Sequence, residues 1–442
     1  YHKLALHSNK VCQNGALKFV HHCIKILTNI RTVKRLSLQS GVEMEEKSMK
    51  KFIAAGLALC MALAMAACGG SPSSAASQVG SGASAPADGS AITIKMGGIG
   101  PITGANAVYG EAVKNGAQIA VDEINASDSA VKFEYNFQDD EGDAETAVNA
   151  YNNLKDWGMQ VLMGTVTTAP CLAVISETEA DNMFQITPSA SSTDVIVPDN
   201  VFQVCFTDPS QGVSAADYIA ENGLATKIAA IYDSSDAYSS GIYNAFAEEA
   251  EAKGLEIVCA EAFTSDNKTD FKTQLQKAQS SGAELVFLPI YYTEAALILT
   301  QANQLGYEPT FFGCDGMDGL LDVQNFDTGL AEGLMLMTPF NATSEDELTA
   351  NFVKTYEEQF GGTPNQFAAD AYDAVYAIRD ACVKAGVTSD MSVSDIGDAL
   401  KTAITEVTMD GLTGSNMTWK ASGEVSKSPI VVEIENGVYK QL

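Results

Sequence analysis

From residue 92 onward, short apolar runs alternate with stretches whose apolar residues recur at helical spacing. Residues 92–99 read as a strand, which breaks at Gly100-Pro101-Ile102-Thr103-Gly104. Residues 109–125 read as a helix, with Ala112, Ala117, Ile119, Ala120 and Ile124 near one face. A strand over 131–138, a helix over 144–157, a strand over 161–163, a helix over 171–181 and a strand over 183–186 follow. A second series starts after Asp208-Pro209, with strands at 228–232, 256–260, 285–290 and 310–313. Its helices run over 239–253, 270–280 and 293–305. This alternation predicts right-handed βαβ units around parallel sheets.

The last third has too few elements for a sheet of its own. It holds a strand at 334–337, helices at 345–360, 366–384 and 393–405, and a terminal strand or hairpin at 429–439. The expected fold class is therefore α/β, with two doubly wound Rossmann-like lobes joined by several hinge crossovers. Lobe 1 is expected at 91–207 plus 340–413, and lobe 2 at 208–339 plus 414–442.

The stretch before this region has another texture. Met49-Lys50-Lys51 is cationic, residues 52–64 are almost wholly apolar, and Met65-Ala66-Ala67-Cys68 precedes two glycines. This resembles the bacterial lipoprotein signal, which implies a signal peptide at 49–67 and lipidation of Cys68. The apolar run falls short of the roughly 20 residues that span a bilayer. Residues 68–90 are rich in Gly, Ser, Ala and Pro, as in a flexible tether. Residues 1–48 start at Tyr1 and are expected to be an upstream, non-native extension. The anticipated location is extracytoplasmic, on a lipid anchor at the outer face of the cell membrane.

Charge narrows the partners. Residues 1–67 hold 10 of the 26 Lys/Arg and 3 of the 56 Asp/Glu, so the rest carries 16 and 53, a net charge of −37. Such a surface repels nucleic acid. All four histidines (His2, His7, His21, His22) precede Cys68, which leaves no imidazole for a catalytic triad or an HExxH zinc site. Cys171, Cys205, Cys259, Cys314 and Cys382 are odd in number and form no Cys-x-x-Cys. They read mainly as small buried residues, with one disulfide still possible.

Gly98, Gly100 and Gly104 follow the first strand, but the third glycine comes one residue late for a dinucleotide loop, and Pro101 has no N–H for a phosphate. There is no Walker A, GxSxG or Cys/His nucleophile pattern. No metal, cofactor or enzymatic activity is expected. Two hydroxyl-rich clusters lie where open α/β sheets bind ligands, at the carboxyl ends of strands. They are residues 164–170 (Gly-Thr-Val-Thr-Thr-Ala-Pro) and 187–193 (Thr-Pro-Ser-Ala-Ser-Ser-Thr). Each could also be a plain cap and turn.

Gly100-Pro101-Ile102-Thr103-Gly104 with Tyr109-Gly110, the run 164–168, Ile186-Thr187-Pro188-Ser189-Ala190, Tyr232-Asp233 with Tyr238, and Gly313-Cys314-Asp315-Gly316 share an order and spacing. In these, residues 91–442 resemble the leucine/isoleucine/valine-type binding proteins of ABC transporters, a type I periplasmic binding protein family. The resemblance implies an amino-acid ligand, branched-chain or otherwise apolar, ABC permease subunits as partners, and a monomer. It implies that Thr168 and Ser191, with Thr167 beside them, meet the ligand carboxylate. Ser189 and Ser191 would meet the ammonium together with Asp315, which stands where the family often has Glu, and Ala190 between them would also belong to the binding site. Tyr109, Tyr238, Tyr291 and Phe367 would line the side-chain pocket. A zwitterion leaving water needs both charges satisfied, which suits hydroxyls and a helix end for one and an acid for the other. The alternatives are a ligand-sensing receptor-type domain, an exported enzyme on the same fold, or a binder of a small amide, urea or an aromatic acid.

Overall fold

The computed structural model describes residues 91–442. The expected extension (1–48), signal (49–67), Cys68 and tether (68–90) lie outside the described residues.

The first sheet is built on β1 (Ile92–Gly100), which pairs in parallel with β2 (Val131–Asp139) on one side and β3 (Val161–Gly164) on the other. β4 (Gln185–Thr187) and β5 (Val201–Gln203) extend it, giving the order β2-β1-β3-β4-β5. The last five residues of β1 are buried, as a central parallel strand covered on both faces requires. The connecting helices are α1 (Ala107–Ala126), α2 (Ala144–Trp157) and α3 (Thr168–Asp181). The ends of α2 follow local chemistry: the Asp143 carboxylate accepts the Thr146 N–H, and Gly158 closes the helix at φ 93°.

The chain then crosses to the second sheet through α4 (Asp208–Glu221), capped by the Thr207 hydroxyl and carrying Pro in its first turn. β6 (Lys227–Asp233), α5 (Ala237–Lys253), β7 (Glu256–Phe263), α6 (Lys272–Ser281), β8 (Leu285–Leu288), α7 (Tyr292–Leu305), β9 (Thr310–Gly313) and β10 (Met335–Thr338) follow. α8 (Glu347–Phe360) and α9 (Gln366–Ala385) pack against α1, and α10 (Val393–Ala403) packs against α9, so the chain has returned to the first lobe. A short ladder of β11 (Thr408–Met409) with β12 (Met417–Thr418) precedes the last crossing. β13 (Ile430–Glu435) and β14 (Val438–Gln441) then add antiparallel strands at the edge beyond β10. The second sheet has the order β14-β13-β10-β9-β8-β6-β7.

In both sheets the strand order reverses at a parallel pair, β1/β3 in the first and β6/β8 in the second. In such sheets the crevice lies outside the carboxyl ends of these strands. The elements expected from the sequence are present with small shifts at their ends. β5, α4 and the β11/β12 ladder were not anticipated.

Candidate functional site

The loop from β3 into α3 and the turn after β4 are tied together by buried hydroxyls. Thr187 Oγ1 donates to the Thr165 carbonyl at 2.6 Å, and Ser189 Oγ donates to the Val166 carbonyl at 2.7 Å. Thr187 Oγ1 also accepts the Ala190 N–H at 2.9 Å. Thr167 is the N-cap of α3, but its hydroxyl makes no cap hydrogen bond. Pro170 in the first turn has no N–H. No side-chain cap therefore occupies the first N–H groups of α3, and Thr167 and Thr168 line a shared cavity. Such a helix start favours a carboxylate.

From the second lobe comes Asp315, two residues past the end of β9 and 4% exposed. Its Oδ1 accepts the Tyr238 hydroxyl at 2.8 Å, and its backbone N–H donates to Gln211 Oε1 at 3.1 Å. Burial pushes its carboxyl up to about 6, against the opposing pull of the Tyr238 hydroxyl, Gln211, the Gly316 N–H and the charge of Lys427. Tyr238 and Tyr291 stack at 4.8 Å with an interplanar angle of 7°. From the first lobe, Tyr109 lies against Phe367 of α9 at 4.1 Å between ring centroids.

Eight of the ten residues singled out from the sequence surround one small cavity of about 10 Å³: Tyr109, Thr167, Thr168, Ser189, Tyr238, Tyr291, Asp315 and Phe367. Val166 and Gly316 complete its wall. Ala190 and Ser191 are not part of it. The Ala190 carbonyl accepts Gln203 Nε2 at 2.8 Å, and the Ser191 carbonyl accepts the Asp208 N–H at 2.9 Å. These bonds turn that segment toward the core and the crossover. The inner cavity adjoins an outer chamber of about 250 Å³, with which it shares Thr167 and Tyr291. Asp236 and Glu294 line the chamber, and its lysine, Lys268, is paired with Glu294 at 2.9 Å. Burial raises the Asp236 carboxyl to about 6.

The lobes also touch directly. The Tyr109 hydroxyl donates to the Gly316 carbonyl and accepts the Tyr292 N–H at 3.3 Å. The Tyr292 hydroxyl donates to the Ala105 carbonyl at 2.7 Å. Two further buried acids sit behind the site. Asp318 accepts the Gln366 N–H at 2.8 Å, and Asp370 pairs with the buried Lys427 at 2.6 Å. All five cysteines among the described residues are unpaired, and only Cys259 is more than slightly exposed. Sequence reasoning missed Gln211 and Gln366, which hold Asp315 from both sides. The Thr207-Asp208-Pro209 helix start would have pointed to Gln211.

Comparison with known proteins adds an independent line. Residues 93–438 match the periplasmic binding protein family. The chain is 30% identical over 325 residues to the Leu/Ile/Val-binding protein BraC3 of Rhizobium johnstonii, covering 71% of this chain and 87% of that protein. The crystal structure of the leucine-binding protein LivK of Thermotoga maritima is similar at a TM-score of 0.71 and 27% identity, covering 79% of this chain and 97% of that one. LivJ of Streptococcus pneumoniae, solved in complex with isoleucine, is similar at a TM-score of 0.71 and 26% identity, covering 79% of this chain and 100% of that one.

Proposed function

Since the chain belongs to the periplasmic binding protein family, whose members act outside the cytoplasm as binders, we propose that it captures an amino acid with an apolar side chain between its two lobes and hands it to an ABC permease. Its relatives are Leu/Ile/Val-binding proteins. The observation that carries this reading is the convergence of the α3 helix start and Asp315 on one cavity walled by three tyrosines and a phenylalanine. In this reading, Thr168 and the N–H groups at the start of α3 take the ligand carboxylate. Asp315 and Ser189 take the ammonium, and Tyr109, Tyr238, Tyr291 and Phe367 enclose the side chain. The lobes correspond to 91–207 plus 340–413 and to 208–339 plus 414–442. Closure follows because the ligand touches both lobes and gains contacts only when they meet.

Charge disfavours an aromatic acid as ligand. The cavity wall offers the carboxylate of Asp315 and no lysine or arginine, so a lone anion would meet the α3 helix start but leave buried Asp315 without a cation. A thermal-shift screen tests the reading: L-leucine, L-isoleucine or L-valine should raise the melting temperature in a concentration-dependent way. A rise with benzoate or urea alone would overturn it. We also take the protein to be tethered through a lipid on Cys68, on the strength of the lipoprotein-like signal. Mass spectrometry of the membrane fraction should find a diacylglyceryl-modified Cys68 at the mature N-terminus, and an unmodified, shed protein would contradict it.

A further inference from the structure

One hydrogen bond away from Asp315, through Gln211 of the same helix, stands a second buried acid that the binding scheme leaves unused. Asp208 is the first residue of α4 and 2% exposed, and neither of its carboxylate oxygens has a hydrogen-bond partner. Around it stand two more orphans, Ser191 Oγ and Gln211 Nε2, both on side chains at most 1% exposed. Most buried polar atoms in folded proteins are paired, so such a cluster marks a place where partners arrive. Gln211 lies one turn along α4 from Asp208, and its Oε1 accepts the Asp315 N–H at 3.1 Å. The orphan cluster is thus linked by one hydrogen bond to the acid of the cavity.

Two further facts give the cluster a use. The inner cavity, at about 10 Å³, holds no more than a water molecule, so an amino acid can enter only if its walls separate. The local charge is also one-sided: Asp208 and Asp315 are both buried here, and the buried Lys427 is bonded to Asp370 and the Val204 carbonyl. Two carboxylates in one buried region cannot both ionise without a cation.

Resting on the reading that an amino acid binds here, we propose that Asp208 is a second acid for the ligand ammonium, which is held between Asp208 of the crossover helix and Asp315 of the second lobe. Gln211 bridges the two acids, and Ser191 serves the cluster in place of the direct ligand contact expected from the sequence. The scheme has a proton consequence. Burial holds the Asp208 carboxyl well above its ordinary range, and Asp315, Asp236 and Asp194 push it the same way, against the nearby Ser191 hydroxyl, which stands short of full hydrogen-bond geometry. Cys205, Cys314 and Tyr291 also lie close enough to feel its charge, and Lys427 acts on Asp315. A buried carboxyl with no cation against it favours its protonated form in the unliganded protein. An arriving ammonium favours the carboxylate, and the proton passes to the buffer.

Titration calorimetry with L-leucine, in two buffers of different ionisation enthalpy at neutral pH, reads this directly. Wild type should release protons on binding. D208N should bind at least about tenfold more weakly and release fewer. The control 4-methylpentanoate, which lacks the ammonium, should cause no release. If wild type binds leucine while D208N matches it in affinity and proton count, the proposal for Asp208 fails and the amino-acid reading stands. If D208N does not fold, the wild-type count decides, and binding without proton release overturns the proposal. If wild type binds none of the standard L-amino acids, both fail.

Discussion

Asp315 combines three constraints: it is buried, it accepts the Tyr238 hydroxyl, and its backbone is held by Gln211 and Gln366. Removing its carboxylate costs the Tyr238 O–H its acceptor, but the Tyr238 oxygen still accepts the Gly316 N–H at 2.9 Å, which keeps the ring in place. Asp315→Ala should therefore fold, yet lose roughly 2–5 kcal/mol of L-leucine binding, as when one member of a buried charge pair is deleted. Calorimetry checks this, and unchanged affinity would remove Asp315 from the site. At this scale much was legible in the sequence. Hydroxyl residues after β3 and β4 stand out because strand ends are where such sheets bind ligands. Ala190 and Ser191 were not separable from Ser189, because their orientation depends on bonds to Gln203 and Asp208, distant in sequence.

Among the elements, α1 and α9 matter most to the site, since they carry Tyr109 and Phe367. They approach so closely that a Cβ on Gly116 would lie 2.0 Å from the Ala368 carbonyl oxygen. That oxygen is backbone and cannot step aside. Gly116→Ala should push the helices apart and cost about 1–3 kcal/mol, read as a lower denaturant midpoint. Leucine affinity should fall with it, because Phe367 precedes Ala368. A variant with wild-type midpoint and affinity would show that this contact is not rigid. The long periodic elements were readable because each has one buried face. β5 was not, since three residues carry almost no pattern. α4 escapes for a different reason: Asp208-Pro209 reads as a break between two series, whereas a Thr cap followed by Pro in the first turn opens a helix.

On the scale of the whole molecule, buried acids set the response to pH. Burial raises Asp140 and Asp318 to about 7, and Asp236, Asp315 and Asp370 to about 6. The native state thus holds protons that the unfolded chain gives up near pH 4. The stability these groups contribute is complete below about pH 4 and is lost as pH rises through 6 to 7. Asp139, Asp143, Asp181 and Asp346 are shifted the other way, but their contribution is lost only below their ordinary range. The unliganded protein should therefore melt at a higher temperature at pH 5.5 than at pH 7.5, as scanning calorimetry can establish. The opposite order would mean that the buried acids remain ionised.

The hydrogen bonds that Tyr109 makes to Gly316 and Tyr292 need no cargo. They give an empty carrier its own reason to shut. A permease that judged its visitor by silhouette alone would then admit blanks along with loaded carriers, hydrolysing ATP for nothing. Discrimination has to come instead from something the passenger changes inside, such as how long the jaws stay together.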